Sequence, residues 1–149
     1  MRTVVQRVTT GSVFIDDREI SRIGLGLLIL LGIRKDDQEE DVRYLADKVV
    51  NLRVFEDNNG KMNLSVKDIG GELLVVSQFT LYGDTRQGRR PGFSEAASGQ
   101  EAEPIYQLFV NKLRQYGIEV KTGVFQEHML VKLDNNGPVT LLLDSRKIF

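Results

Sequence analysis

The chain has 149 residues, 41% of them hydrophobic and 28% charged, which is enough apolar material for a folded core and too much for a disordered chain. Cysteine is absent, so disulfides, thiolate-held zinc, iron–sulfur clusters and a cysteine nucleophile are excluded together. The net charge of −1 gives no overall attraction to a polyanion, although a local basic patch would still serve one gripped at its end.

No linker rich in proline, glycine or serine divides the sequence, and residues 1–149 are expected to form a single domain. The opening residues lack the apolar core of a secretory signal. The longest apolar run, residues 23–33, contains three glycines and is too short to span a bilayer. A cytoplasmic protein with no membrane partner is expected.

Val4, Gln6 and Val8 alternate with Val5, Arg7 and Thr9, which predicts a strand over 3–9 and a second over 12–15. Asp16-Asp17-Arg18 supplies a turn, 19–23 a returning strand, and Leu27-Leu28-Ile29-Leu30-Leu31 the buried centre of the core. Asp36 or Asp37 is placed to cap a helix with Glu39 and Glu40 in its first turn and Val42, Leu45, Ala46 and Val49 on one face. That helix should end near Asn51. Asp57-Asn58-Asn59-Gly60 reads as a turn and 72–79 as a buried strand. Residues 82–99 are polar and without period, and a loop of that length marks a candidate substrate-facing segment. A second amphipathic helix is predicted from Pro104 in its first turn through Ile105, Leu108, Phe109 and Leu113 to a stop at Gly117. Three strands, over 118–122, 129–133 and 139–144, should complete an α/β domain in which two helices cover a mixed sheet.

The inventory of catalytic groups is sparse. His128 is the one histidine, and it is read as a surface or supporting residue. The sequence contains no HExxH, GxSxG or Walker loop, and Gly24-Leu25-Gly26 lacks the third glycine of a dinucleotide fingerprint. Arg86, Arg89 and Arg90 form a basic cluster in the long loop that either meets phosphates or is simply solvated. Two polar clusters remain. Ser77-Gln78-Phe79-Thr80-Leu81 sits where a buried strand emerges, and read alone its hydroxyls are local hydrogen-bonding groups. Asn135-Asn136-Gly137-Pro138-Val139-Thr140 lies between two predicted strands and reads, by itself, as a hairpin turn.

Together these clusters carry a family resemblance. Ser77-Gln78-Phe79-Thr80-Leu81 resembles the SQxxL-type motif, and Asn135-Asn136-Gly137-Pro138-Val139-Thr140 the NxGPVT motif, of the D-aminoacyl-tRNA deacylases, first described as D-tyrosyl-tRNA deacylases. The likeness also covers Gln6-Arg7-Val8, Gly60-Lys61-Met62-Asn63, Gly88-Arg89-Arg90-Pro91 and Thr122-Gly123. It departs locally, with Gln126-Glu127-His128 where relatives often have small residues, and Asn136 where aspartate is common.

The resemblance implies a partly barrel-like mixed sheet with two main helices and hydrolysis of the ester at the 3′ end of D-aminoacyl-tRNA, and of glycyl-tRNA mischarged on tRNA(Ala). It implies a homodimer whose active sites each receive a cis Gly137-Pro138 peptide from the partner for chiral selection. By the same likeness Ser77, Gln78 and Thr80 are the catalytic candidates. Phe79, Leu81, Phe125, Met129 and Arg7 are the substrate-binding and supporting ones. No cofactor and no metal are expected. An aminoacyl ester is already activated and its ribose hydroxyl can help the attacking water, so orientation would suffice; Thr80 as a nucleophile is the alternative. A small Ser/Thr hydrolase of other esters and a non-catalytic dimer are the rival readings.

Overall fold

Residues 1–148 are described by a computed structural model. The long apolar run becomes β3 (Gly26–Gly32), the strand around which the sheet is assembled. It pairs antiparallel with β1 (Arg2–Ile15) on one edge and parallel with β6 (Glu72–Ser77) on the other. β7 (Val120–Thr122) continues the parallel set beside β6, while β2 (Arg18–Ile23) and β8 (Leu130–Asp144) both lie antiparallel to β1. The sheet curls until Lys121 of β7 donates its Nζ to the Arg22 carbonyl of β2 at 2.8 Å, which leaves a nearly closed barrel. A separate hairpin of β4 (Phe55–Glu56) and β5 (Met62–Leu64) turns through the predicted tetrad, with the Asp57 carboxylate accepting from the Asn59 N–H at 2.8 Å and Gly60 at a φ of 72°.

Strand alternation divides the interior in two. Leu27, Ile29 and Leu31 of β3, with Leu73 and Val75 of β6, face helices α1 (Glu39–Asn51) and α2 (Gly99–Arg114) and form the larger core. Leu28, Leu74 and Val76 point the other way and meet Val8, Val13 and Ile23 inside the barrel. A strand buried on both faces is why the sequence shows an unbroken apolar run here and not an alternation. Gly26 marks where β3 and β6 come closest: a Cβ there would lie 1.9 Å from the Glu72 carbonyl oxygen.

Several predicted elements change form. The two amino-terminal strands are one, because Gly11 continues the pairing and packs under Leu28 and Ile23. The α1 cap is Gln38, in a reciprocal box with Asp41, and neither Asp36 nor Asp37. Asp37 is instead buried, accepting from the Met1 amine at 2.6 Å and from the Arg34 N–H at 2.6 Å, while Asp36 pairs with Arg146 at 2.6 Å. The face Val42, Leu45, Ala46 and Val49 is buried as predicted. Helix α2 starts before Pro104, at Gly99, under a capping box of Ser98 and Glu101 whose S-x-x-E spacing is visible in the sequence. The strand predicted over 72–79 stops at Ser77, and Phe79–Tyr82 forms a turn of 3-10 helix.

The largest correction concerns the carboxy-terminal segment. The two strands predicted over 129–133 and 139–144 are a single strand of 15 residues, and residues 135–140 are not a hairpin turn. Both flanks pair with β1, and a step of two residues on β1, Gln6 to Val8, is matched by a step of five on β8, Thr140 to Asn135. The surplus residues are extruded as a bulge.

Candidate active site

β3 and β6 run in the same direction and end together, at Gly32 and Ser77. The Gln78 N–H donates to the Leu31 carbonyl at 2.8 Å as the last rung, after which the chain leaves the sheet into the 3-10 turn. Ser77, Gln78 and Phe79 are thereby set at the carboxyl end of a parallel pair, where open α/β sheets characteristically bind ligands. They line a cavity of about 620 Å³, within the usual range for small-molecule sites.

The facing wall is the segment between β7 and β8. Phe125 packs against Tyr106 of α2 with ring centroids 5.5 Å apart, and the Tyr106 hydroxyl donates to the Val75 carbonyl of β6 at 2.9 Å. Burial pushes the Tyr106 phenol up to about 12, so it stays a protonated donor and pins Phe125 indirectly to the sheet. Met129 lies over Gly123, where a Cβ would come within 2.5 Å of its Sδ. Ala97, Gly99 and Ala102 supply a third, small-residue side from the start of α2.

Of the candidates named from sequence, the fold therefore brings Ser77, Gln78, Phe79, Phe125 and Met129 to one cavity. Thr80 stands just outside the lining, accepting from Gln78 Nε2 at 2.5 Å. With its oxygen so occupied, the hydroxyl keeps its own proton for another acceptor. Leu81 turns away: its Cβ crowds Gly32, and its carbonyl accepts from Arg2 Nη1 at 3.2 Å. Among the described residues no carboxylate or imidazole is hydrogen-bonded to Ser77 or Thr80, and no trio of His, Asp or Glu is grouped to hold a metal ion. Gln126, Glu127 and His128, which the sequence marks only as a departure from the family pattern, with His128 read as a surface or supporting residue, also line the cavity. Their one signal toward the site was position, between Phe125 and Met129.

Arg7, Gly137 and Pro138 assemble the bulge of β8. Asn135 closes its neck, donating Nδ2 to Thr140 Oγ1 at 2.8 Å and accepting the Val139 N–H at 2.9 Å. Arg7 Nε donates to the Asn136 carbonyl at 2.9 Å from beneath. The Gly137–Pro138 peptide is cis, both residues are exposed, and a side chain at Gly137, whose φ is 133°, would meet Val139 Cγ2 at 2.8 Å and Arg7 Nη2 at 3.0 Å.

A hydroxyl and a carboxamide at a strand end, without a paired base, offer hydrogen-bond donors to an acyl oxygen and no group that would activate a nucleophile. Residues 4–144 match the family model described as D-Tyr-tRNA(Tyr) deacylase. The chain is 59% identical to a D-aminoacyl-tRNA deacylase of Clostridioides difficile (strain 630) and 56% identical to one of Thermosipho africanus (strain TCF52B), each over 149 residues and the full length of both proteins. Among solved structures it is similar to the c-Myc DNA Unwinding Element Binding Protein, with a TM-score of 0.91 and 41% identity over 97% of this chain and 98% of that one. A probable eukaryotic D-amino acid tRNA deacylase shares the fold at a TM-score of 0.82, with 17% identity over 95% and 97% of the two chains. The chain belongs to the D-aminoacyl-tRNA deacylase family and is a hydrolase of that class. No helix among its described residues is long and apolar enough to cross a membrane.

Proposed function

We propose that this enzyme hydrolyses the ester joining a D-amino acid, or glycine mischarged on tRNA(Ala), to the terminal adenosine of tRNA, and spares the L-ester. The observation that carries the reading is the meeting of Ser77, Gln78 and Phe79 with Phe125 and Met129 on one cavity, although Phe125 lies 48 positions after Ser77. The aromatic and thioether wall suits a flat base, and the Ser77–Gln78 end supplies donors for an ester oxyanion. Water adds to the ester carbonyl, oriented with help from the neighbouring ribose hydroxyl. The tetrahedral carbon then expels the ribose oxygen, which takes up the proton the water has lost, leaving free amino acid and uncharged tRNA. Thr80 holds the Gln78 carboxamide in its orientation.

Chiral selection falls to the bulge, delivered by a second copy of the chain in a homodimer. What supports this is distance. Arg7, which holds the bulge, pairs with Leu27 near the start of β3, whereas Leu31 near its end lines the cavity, so the bulge and the cavity sit toward opposite ends of that strand, about 13 Å apart along it. Backbone carbonyls presented by a rigid bulge fix the substrate amine, and an L side chain then collides where a hydrogen or a D side chain fits. Leu130 and Leu142, 54% and 57% exposed on β8, give an apolar surface for association. The deciding assay is the purified protein on D-tyrosyl-, glycyl- and L-tyrosyl-tRNA. Loss of the first two esters with the third intact is expected; equal rates on both enantiomers would overturn the reading.

A further inference from the structure

The polar loop that leaves the site carries a charge arrangement which ester hydrolysis does not use. Residues 84–92 form a small hairpin closed by two backbone bonds, Asp84 N–H to Gly92 carbonyl at 2.7 Å and Gly92 N–H to Asp84 carbonyl at 2.8 Å. Inside it, the Asp84 carboxylate accepts from the Arg86 N–H at 3.0 Å, from Nε at 2.9 Å and from Nη2 at 2.7 Å, so this guanidinium is neutralised within the loop. Arg89 and Arg90 are exposed and have no partner among the described residues. By contrast Arg2, Arg22, Arg34, Arg43 and Arg146 each face an acidic side chain. Arg18 also lacks a partner, but it stands singly, next in sequence to Asp16 and Asp17. Two adjacent uncompensated guanidiniums on a chain of net charge −1 are a local exception to the surface pattern.

The foot of the hairpin is anchored to the cavity wall. Phe93, at the foot of the hairpin, packs edge-on against Phe79 of the cavity wall with centroids 4.9 Å apart. Pro91 and Phe93 close over Gly83, where a Cβ would meet Phe93 Cε1 at 3.2 Å and Pro91 Cβ at 3.5 Å. Arg90 precedes Phe93 by three residues, within about 11 Å of extended chain. The guanidiniums are thus tethered beside the mouth through which the terminal adenosine must enter.

We propose that the 84–92 hairpin is a phosphate clamp, in which Arg89 and Arg90 hold the backbone phosphates of the tRNA 3′ strand leading to the terminal adenosine. The proposal rests on the deacylase reading above. A guanidinium presents paired donors that match phosphate oxygens, and phosphate contacts position a nucleic acid without reading its sequence. The clamp lets a protein with no net positive field grip a polyanion at one end.

The test compares wild type with the Arg89→Gln/Arg90→Gln double variant on two substrates, D-tyrosyl-tRNA and the D-tyrosyl ester of adenosine, which has no phosphate. On tRNA the variant should show a KM raised about tenfold near physiological salt, and a log–log salt dependence of kcat/KM shallower by about 1.4, two single-strand phosphate contacts. On the adenosine ester its kcat/KM should match wild type, which also shows that the cavity is intact. Unchanged salt dependence on tRNA, or equal losses on both substrates, overturns the clamp while leaving the deacylase reading standing. A wild-type protein that hydrolyses neither substrate overturns both.

Discussion

Arg7 donates Nε to the Asn136 carbonyl at 2.9 Å and Nη1 to the Val54 carbonyl at 2.6 Å, so one buried side chain ties the β8 bulge to the segment that follows α1. Removing it strands the buried Val54 carbonyl and the partly buried Asn136 carbonyl. Arg7→Leu is expected to cost about 2–4 kcal/mol of stability, read as a lower urea midpoint at unchanged slope. Arg7→Lys, which can still satisfy one carbonyl, should cost less. Deacylation should fall in the same order, because the bulge loosens with its anchor.

If the bulge serves the neighbouring chain, defects in cavity and bulge must complement each other. Gln78→Ala removes a cavity group, and Gly137→Val places a side chain against Val139 and Arg7 at a φ of 133°. Each homodimer should be nearly inactive. Random exchange of subunits should restore about a quarter of wild-type activity, since half the dimers are mixed and each holds one sound site. Mixtures that stay inactive after exchange would show that a single chain builds its own site.

The role of Thr80 separates an orienting site from a nucleophilic one. Losing the bond that Thr80 accepts from Gln78 Nε2 should slow Thr80→Ala by about tenfold, about 1.4 kcal/mol, and Thr80→Ser should be close to wild type. His128→Ala, although its side chain lines the cavity, should keep kcat within about threefold. A loss of about a thousandfold in either alanine variant, or a trapped acyl-enzyme, would make the altered residue a direct participant.

Acid should unfold this protein by a defined route. Burial pushes the Asp41 carboxyl up, but bonds from the Ser145 hydroxyl and the Gln38 N–H outweigh it and leave it below the usual range. The Lys61 and Asn59 N–H groups lower Asp57, and Ser98 lowers Glu101. Each group is therefore more acidic folded than unfolded. Their contribution is fully present above the unfolded values of about 4 and is lost as pH falls through the folded ones. Urea midpoints should agree at pH 7 and pH 5 and drop below about pH 4. A midpoint that rises on acidification would contradict this, and Asp41→Asn should blunt the drop.

Periodicity alone determined much of this protein. The buried face of α1 follows from the spacing of Val42, Leu45, Ala46 and Val49, and the doubly buried strand from its unbroken apolar run, because both signals are local consequences of helix and strand geometry. Ser77, Gln78 and Phe79 were legible as one motif cluster, and Phe125 and Met129 only through the family likeness; no local pattern showed that they meet. Their meeting depends on β6 and β7 lying parallel, which carries Phe125 across to Ser77, and the same crossing puts Gln126, Glu127 and His128 on the cavity wall. The bulge makes the contrast clearest. Asn-Asn-Gly-Pro carries the local chemistry of a turn, and it would be one if its flanks paired with each other. Both flanks pair instead with the 14-residue strand β1, and that long-range choice of partner, not the turn residues, decides that the chain bulges outward and does not fold back.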